Sequence, residues 1–272
     1  DLPGAERYRK ASADMRQLTA IEKKTKSDKN LTKDDLIFLY EINKPIEGFG
    51  FQRDPRIHEL REKRNPKEDA PIVLDCQPEE IAWSQSQIGL ATKSYIGPLF
   101  NGIFKTGIEQ IYTTFPEARI RRSALGIGGR TAKELEQELR DKKINIDYAQ
   151  DMLRSKSFTT LKNPEQIELI RLKVRDLGFK SGATTDEIYR KAEELGLELC
   201  PAEVGPNLRL QYVDQPLGEW FYLAMKQISG RGGDPRVFEL GCRGDGLWLG
   251  GDWASPADRW NPGHECVFRL RK

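Results

Sequence analysis

The sequence predicts an α+β protein: a mainly helical region with a few strands over residues 1–180, then a smaller β-rich module over residues 181–272, entered through a capped helix. Three observations carry this. Helical spacing of apolar residues dominates the first half of the chain. Thr184 followed by Glu187 makes a capping box, with Ile188, Ala192 and Leu195 on one face and Gly196 as the stop. Beyond it, four short apolar runs, Trp220 to Ile228, Val237 to Leu240, Leu247 to Leu249 and Cys266 to Leu270, are separated by Gly, Asp and Pro, the spacing of a small antiparallel sheet or barrel.

Tyr8, Met15, Leu18 and Ile21 recur at helical intervals over residues 4–26. Thr32 with Asp35 is a second capping signal, opening a short apolar helix through Leu36, Ile37, Leu39, Tyr40 and Ile42 that Pro45 ends. Gly48-Phe49-Gly50-Phe51 pairs glycines with aromatics, as a tight backbone approach or a plug under a loop. Arg56 to Arg64 is helical by spacing. Pro71 to Cys76 reads as a strand covered on both faces, and Pro78, Glu79 and Glu80 open a helix carrying Ile81, Trp83 and Ile88. Ile108 to Phe115 and Ala118 to Ile127 read as strands. Gly128-Gly129 turns the chain into a helix capped by Thr131 with Glu134. Asn163-Pro164 starts a helix with Ile167, Ile170, Val174 and Leu177 inward. After the capped helix, Leu197 and Leu199 are extended, Pro201 to Pro206 is a rigid turn, and Leu208, Leu210 and Tyr212 alternate as a strand. Gly230 to Asp234 and Arg243 to Gly246 read as hairpin turns.

Composition narrows the classes. With 44 basic and 42 acidic residues the net charge is +2, so bulk electrostatics favours neither nucleic acid nor membrane. No run approaches the ~20 apolar residues of a membrane span, and no basic-then-apolar signal segment opens the chain, so a soluble, cytoplasmic protein is expected. The start at Asp1, with Leu2-Pro3-Gly4 as a helix entry, predicts a part of something longer. Cys76, Cys200, Cys242 and Cys266 form no C-x-x-C pair and are expected as thiols of a reducing compartment.

No complete catalytic pattern is present, and whether the chain is an enzyme stays open. Cys200 and His264 are the candidates for nucleophile and base, since a thiol needs a neighbouring imidazole to become thiolate; each also reads as structural. His58 and His264 are the only histidines, too few for a three-histidine site, so no metal and no cofactor are expected. Ile127 to Thr131 lacks the lysine and the full glycine pattern of a phosphate loop. Arg119, Arg121 and Arg122 are the compact basic group that would hold nucleic acid. Trp220, Trp248, Trp253 and Trp260 lie among Asp245, Asp252, Asp258 and Asn261 in the β-rich end. Flat rings flanked by carboxylates and amides suit a sugar or a docked peptide, while the same rings also read as the core of a small sheet with few aliphatic residues. Trp253 and Trp260, set among Asp, Pro and Asn, are the expected surface pair, and with Asp252 and Asn261 the expected ligand-binding group.

Asp186 to Tyr212, together with Gly48 to Arg56 and Val267 to Lys272, resembles an uncharacterised family of bacterial proteins in which such a region follows other domains at the C-terminus. The likeness spans most of the chain and implies no activity, only that this is one part of a larger bacterial protein. The expectation is a non-catalytic recognition or scaffolding region, partnered by an attached N-terminal domain or by a protein or carbohydrate ligand. The alternative is an enzyme, either a cysteine-based hydrolase or transferase, or a nuclease using the arginines.

Overall fold

The computed structural model describes residues 5–49, 53–229 and 232–271. They form an α+β protein, helical towards the N-terminus and β-rich towards the C-terminus. The chain divides into two compact units: residues up to Gly97 with Ile108–Arg119, and Pro98–Gly107 with Ile120 onward. Asp1 to Gly4 and Lys272 lie outside the described residues, as do parts of the glycine-aromatic run at 48–51 and of the turn at 230–234.

The first unit opens with α1 (Ala5–Lys26), whose last turn carries Lys23, Lys24 and Lys26, the sign the carbonyl end of a helix favours. In α2 (Lys33–Leu39) the Thr32–Asp35 box is made in both directions, and Lys24 donates to the same Asp35 at 2.6 Å. Asp54 caps α3 (Pro55–Glu62), with proline in its first turn. Leu18, Ile21, Leu39, Ile57 and Leu60 pack as one core.

The segment expected as a strand at 71–76 belongs instead to α4 (Pro66–Leu74), capped by Asn65 and carrying Pro71 inside it. A short apolar run does not distinguish a strand from the buried face of a helix, and the Asn65-Pro66 start decides the matter. The helix expected after Pro78 is a single 3₁₀ turn leading into β1 (Ile81–Ala82). With β2 (Ser94–Ile96) and β3 (Gln110–Tyr112) it makes a parallel three-stranded sheet. Tyr40, Val73, Leu74, Ile96, Tyr112 and Phe115 fill the second core, where buried Asp69 takes the Tyr40 hydroxyl at 2.6 Å and the Arg64 guanidinium.

The second unit runs through β4 (Arg121–Ile127), α5 (Ala132–Asp141), β5 (Asn145–Ile146), α6 (Ala149–Leu153), β6 (Glu165–Lys173), β7 (Ala183–Thr184), α7 (Thr185–Glu194) and β8 (Leu197–Glu198). It continues through α8 (Val204–Gln211), β9 (Trp220–Leu223), β10 (Ile228–Ser229), β11 (Pro235–Arg243), β12 (Gly246–Trp253), β13 (Arg259–Trp260) and β14 (Glu265–Leu270). Its main sheet has the order β4-β6-β14-β9-β11-β12-β5, with β10 on β11 and β8 on β14. The sheet is mixed rather than antiparallel, because β14 runs parallel to β9 and β12 parallel to β5. It takes strands from both sides of residue 180.

Both capping boxes expected here are made, Thr131 with Glu134 and Thr184 with Glu187. Gly196, at φ +81°, supplies the left-handed residue after α7. Two assignments change. Residues 165–173 form a strand, not a helix: Ile167, Leu169, Arg171 and Lys173 fall on one face and Gln166 and Glu168 on the other. The helical spacing of Ile167, Ile170 and Val174 arises because a central strand is covered on both faces. The alternation at 208–212 belongs to α8, which is buried from Val204 to Leu210 and so shows no polar stripe. Gly205 lets α8 seat on the sheet, since a β-carbon there would lie 2.5 Å from the Phe238 ring.

Candidate ligand-binding face

Successive strand residues point to opposite faces, and directly paired residues share one. Glu239 is paired with Tyr222 on one side and Gly250 on the other; Val237 is paired with Asp252, and Gly241 with Trp220 and Trp248. One face of β9, β11 and β12 therefore gathers Trp220, Tyr222, Glu239, Trp248 and Asp252. His264, just ahead of β14, joins them. Two glycines keep the floor low: β-carbons at Gly250 and Gly241 would sit 3.5 and 3.9 Å from the Glu239 carboxylate.

The rings of Trp220, Tyr222 and Trp260 lie 5.1, 5.6 and 5.7 Å from the His264 ring. Their roles differ. Trp260 is 7% exposed and its indole N–H donates to Thr185 Oγ1 at 2.7 Å, so it anchors the wall. Trp220, 42% exposed, is the ring open to solvent. Trp248 donates its indole N–H to Asp245 at 2.7 Å, and the Arg243 guanidinium lies 4.7 Å from its ring centroid.

Burial holds the His264 imidazole below its ordinary pKa, with Asp252 pulling weakly the other way. Its Nδ1 is buried with no protein partner. Burial, then Asp252, pushes the Glu239 carboxyl up, opposed by Arg243 at 3.9 Å. Burial and the two carboxylates also hold the Tyr222 phenol high. The arrangement offers acceptors, proton donors and an open ring in one place, which suits a ligand rich in hydroxyl groups.

A testable consequence follows from Glu239. A folded-state carboxyl with a raised pKa contributes stability that is fully present below the ordinary value of 4.5 and is lost as pH rises through the folded value. Glu239→Gln is therefore expected to raise the unfolding temperature at pH 7 and to leave it unchanged near pH 4, as read by calorimetry at both pH values. Equal unfolding temperatures at pH 7 would refute a strained carboxylate.

The structure brings Asp252, Trp260, Asn261 and His264 together; Asn261 Nδ2 and His264 Nε2 are 3.4 Å apart. Trp253 follows Asp252 along β12 and so points to the other face, where Arg236 lies across from it. Cys200 is buried, its thiol donating to the Val267 carbonyl at 3.6 Å rather than to an imidazole, and burial raises its pKa. The three arginines are each engaged separately. Arg119 belongs to the first unit and donates to the Ile42 carbonyl. Arg121 and Arg122, on opposite faces of β4, are ion-paired with Glu219 and Glu168. Glu239, Tyr222 and His264's aromatic wall were not visible as a group in the sequence, since only strand register assembles them.

Among the described residues, concavities lie away from this face. One of about 480 Å³ in the first unit is lined by Asp75, Cys76, Lys93, Glu109 and Arg119 among others. One of about 680 Å³ lies beside α5 and α6. There Glu136 is bound by Arg154, Gln150 and Arg140, and the hydrogen bond from Arg154 foremost holds its pKa at about 2.

Among the described residues no three His, Cys, Asp or Glu side chains converge in a way that would hold a metal ion, and no helix is long and apolar enough to cross a membrane. Compared with protein-family models, with curated proteins and with solved structures, the chain matches none of them.

Proposed function

We propose that the second unit is a non-catalytic recognition domain that binds carbohydrate on the face shared by Trp220, Glu239, Asp252 and His264, as the C-terminal part of a larger bacterial protein. The observation that carries the reading is the open Trp220 ring, 42% exposed, beside two carboxylates and an imidazole that, among the described residues, no cation approaches more closely than Arg243, 3.9 Å from Glu239. A sugar ring presents an apolar C–H face to an aromatic and hydroxyls to flanking acceptors and donors.

The test is binding of the purified chain to an array of neutral oligosaccharides. An exposed anchoring tryptophan removed to alanine loses on the order of tenfold or more in affinity, so Trp220→Ala is expected to weaken the best glycan by at least that factor, and Asp252→Asn to weaken it further. Absence of any glycan signal, or affinities unchanged in both variants with the fold intact, would remove this reading.

A further inference from the structure

Trp253 belongs to a second, separate constellation. Arg236 stands directly across the β11–β12 ladder from Trp253. It is 9% exposed, yet among the described residues no carboxylate lies within ion-pair distance of it. Its one side-chain hydrogen bond to a described residue is from Nη1 to the Gly251 carbonyl at 2.9 Å. Other inward-facing arginines of this unit are better satisfied: Arg171 is bound by Glu219 and Glu265, and Arg209 reaches Gln215 and the carbonyls of Tyr212 and Gly241. A guanidinium has five N–H donors, so Arg236 keeps donors to spare.

Two large rings flank that guanidinium. Its central carbon lies 4.1 Å over the Tyr148 ring and 5.7 Å from the Trp253 ring centroid. Both rings are more exposed than buried, Tyr148 at 52% and Trp253 at 62%. The seat is specified by the backbone. A β-carbon at Gly251 would fall 2.6 Å from Met152 Sδ and 3.4 Å from Tyr148 Cβ, so glycine there is what lets α6 lie close and hold Tyr148 beside Arg236.

We propose that Tyr148, Arg236 and Trp253 bind a carboxylated sugar, a uronic acid residue within an oligosaccharide. A planar guanidinium pairs with a carboxylate through parallel N–H donors, and the two exposed rings supply stacking surface for the apolar face of the sugar. Among the described residues the site holds one cation. A polyphosphate backbone is held by several lysines and arginines together, whereas one carboxylate on an otherwise neutral ring matches one guanidinium. The assignment stands apart from the face that carries Trp220, which belongs to the opposite side of the sheet.

Calorimetric titration of the full chain tests it, with oligogalacturonate, oligoglucuronate and oligomannuronate as probes. The methyl ester of the best binder and an oligothymidylate serve as comparisons. The expected result is that one uronate binds, that its methyl ester binds at least tenfold more weakly, and that Trp253→Ala and Tyr148→Ala each lower the affinity about tenfold. Arg236→Lys, which keeps the charge without the fork, should lose most of the binding, while Trp220→Ala should leave it unchanged. Equal binding of acid and ester, tighter binding of the oligothymidylate, an unaffected Trp253→Ala, or no uronate bound would each overturn the proposal. Because Trp253 and Tyr148 are exposed, their variants keep the test decisive even if Arg236→Lys fails to fold.

Discussion

Replacing Glu203 by alanine is expected to lower the unfolding temperature more than any surface change in this protein. Glu203 is 1% exposed and stands at the start of α8. Its carboxylate takes the Gly128 N–H at 2.9 Å and the Leu161 N–H at 2.8 Å, tying the turn after β4, the approach to β6 and the most deeply buried helix into one node. Alanine leaves two backbone donors without their acceptor, each costing about 1–3 kcal/mol. For a unit of this size, roughly 4 kcal/mol corresponds to about 8–16 °C in unfolding temperature. Glu203→Gln keeps one acceptor oxygen and should lose about half as much. A thermal scan in which the alanine variant falls by less than about 3 °C would show that water replaces the carboxylate at little cost.

Gly128→Ala should be comparably damaging, for a steric reason. Gly128 has φ +81°, and a β-carbon on it would lie 2.2 Å from the Asn163 carbonyl oxygen and 3.2 Å from Leu161 Cβ. The left-handed backbone costs an alanine about 1–2 kcal/mol. The clash is with main chain, which cannot swing aside, so the Leu161–Asn163 segment must move and the Glu203 bonds loosen with it. Residues that share a network do not add. Gly128→Ala made in the Glu203→Ala background should therefore lower the unfolding temperature by less than it does in the native chain. Full additivity in that double-mutant cycle would mean the two residues act independently.

The turn at Gly128-Gly129-Arg130-Thr131 shows what a sequence can reveal by itself. Its helix signal is a hydrogen-bond exchange between residues three apart, so the boxes at Thr32, Thr131 and Thr184 were legible without knowledge of the fold. Elements whose identity depends on distant partners were not. The segment after Asn163 carries a fair local helix start, yet becomes β6 because β4 and β14 flank it and Arg171 finds Glu219 and Glu265 inside the sheet. Buried α8 lacks the polar stripe that would have marked it as helical. The same limit applied to the candidate site. Asp252, Trp260 and Asn261 stood out as chemistry-bearing residues of the β-rich end, but Glu239 joins Asp252 only through the β11–β12 register, and Trp253 parts from its neighbour because adjacent strand residues face opposite ways. Arg236 and Tyr148 carry no local signature at all, since the feature that unites them is a glycine that lets a helix approach.

Strand β14 lies between β6 and β9, hydrogen-bonded to both. While the polypeptide is being synthesised, β6 and β9 are made long before residues 265–270, and each presents an open edge until that strand arrives. The middle of the sheet is thus the last part to be supplied by the ribosome, and the domain closes around its latest-made segment rather than growing outward from its earliest. Nascent chains halted short of residue 265 would carry two facing, unfilled edges, the form of this protein most exposed to pairing with the wrong neighbour.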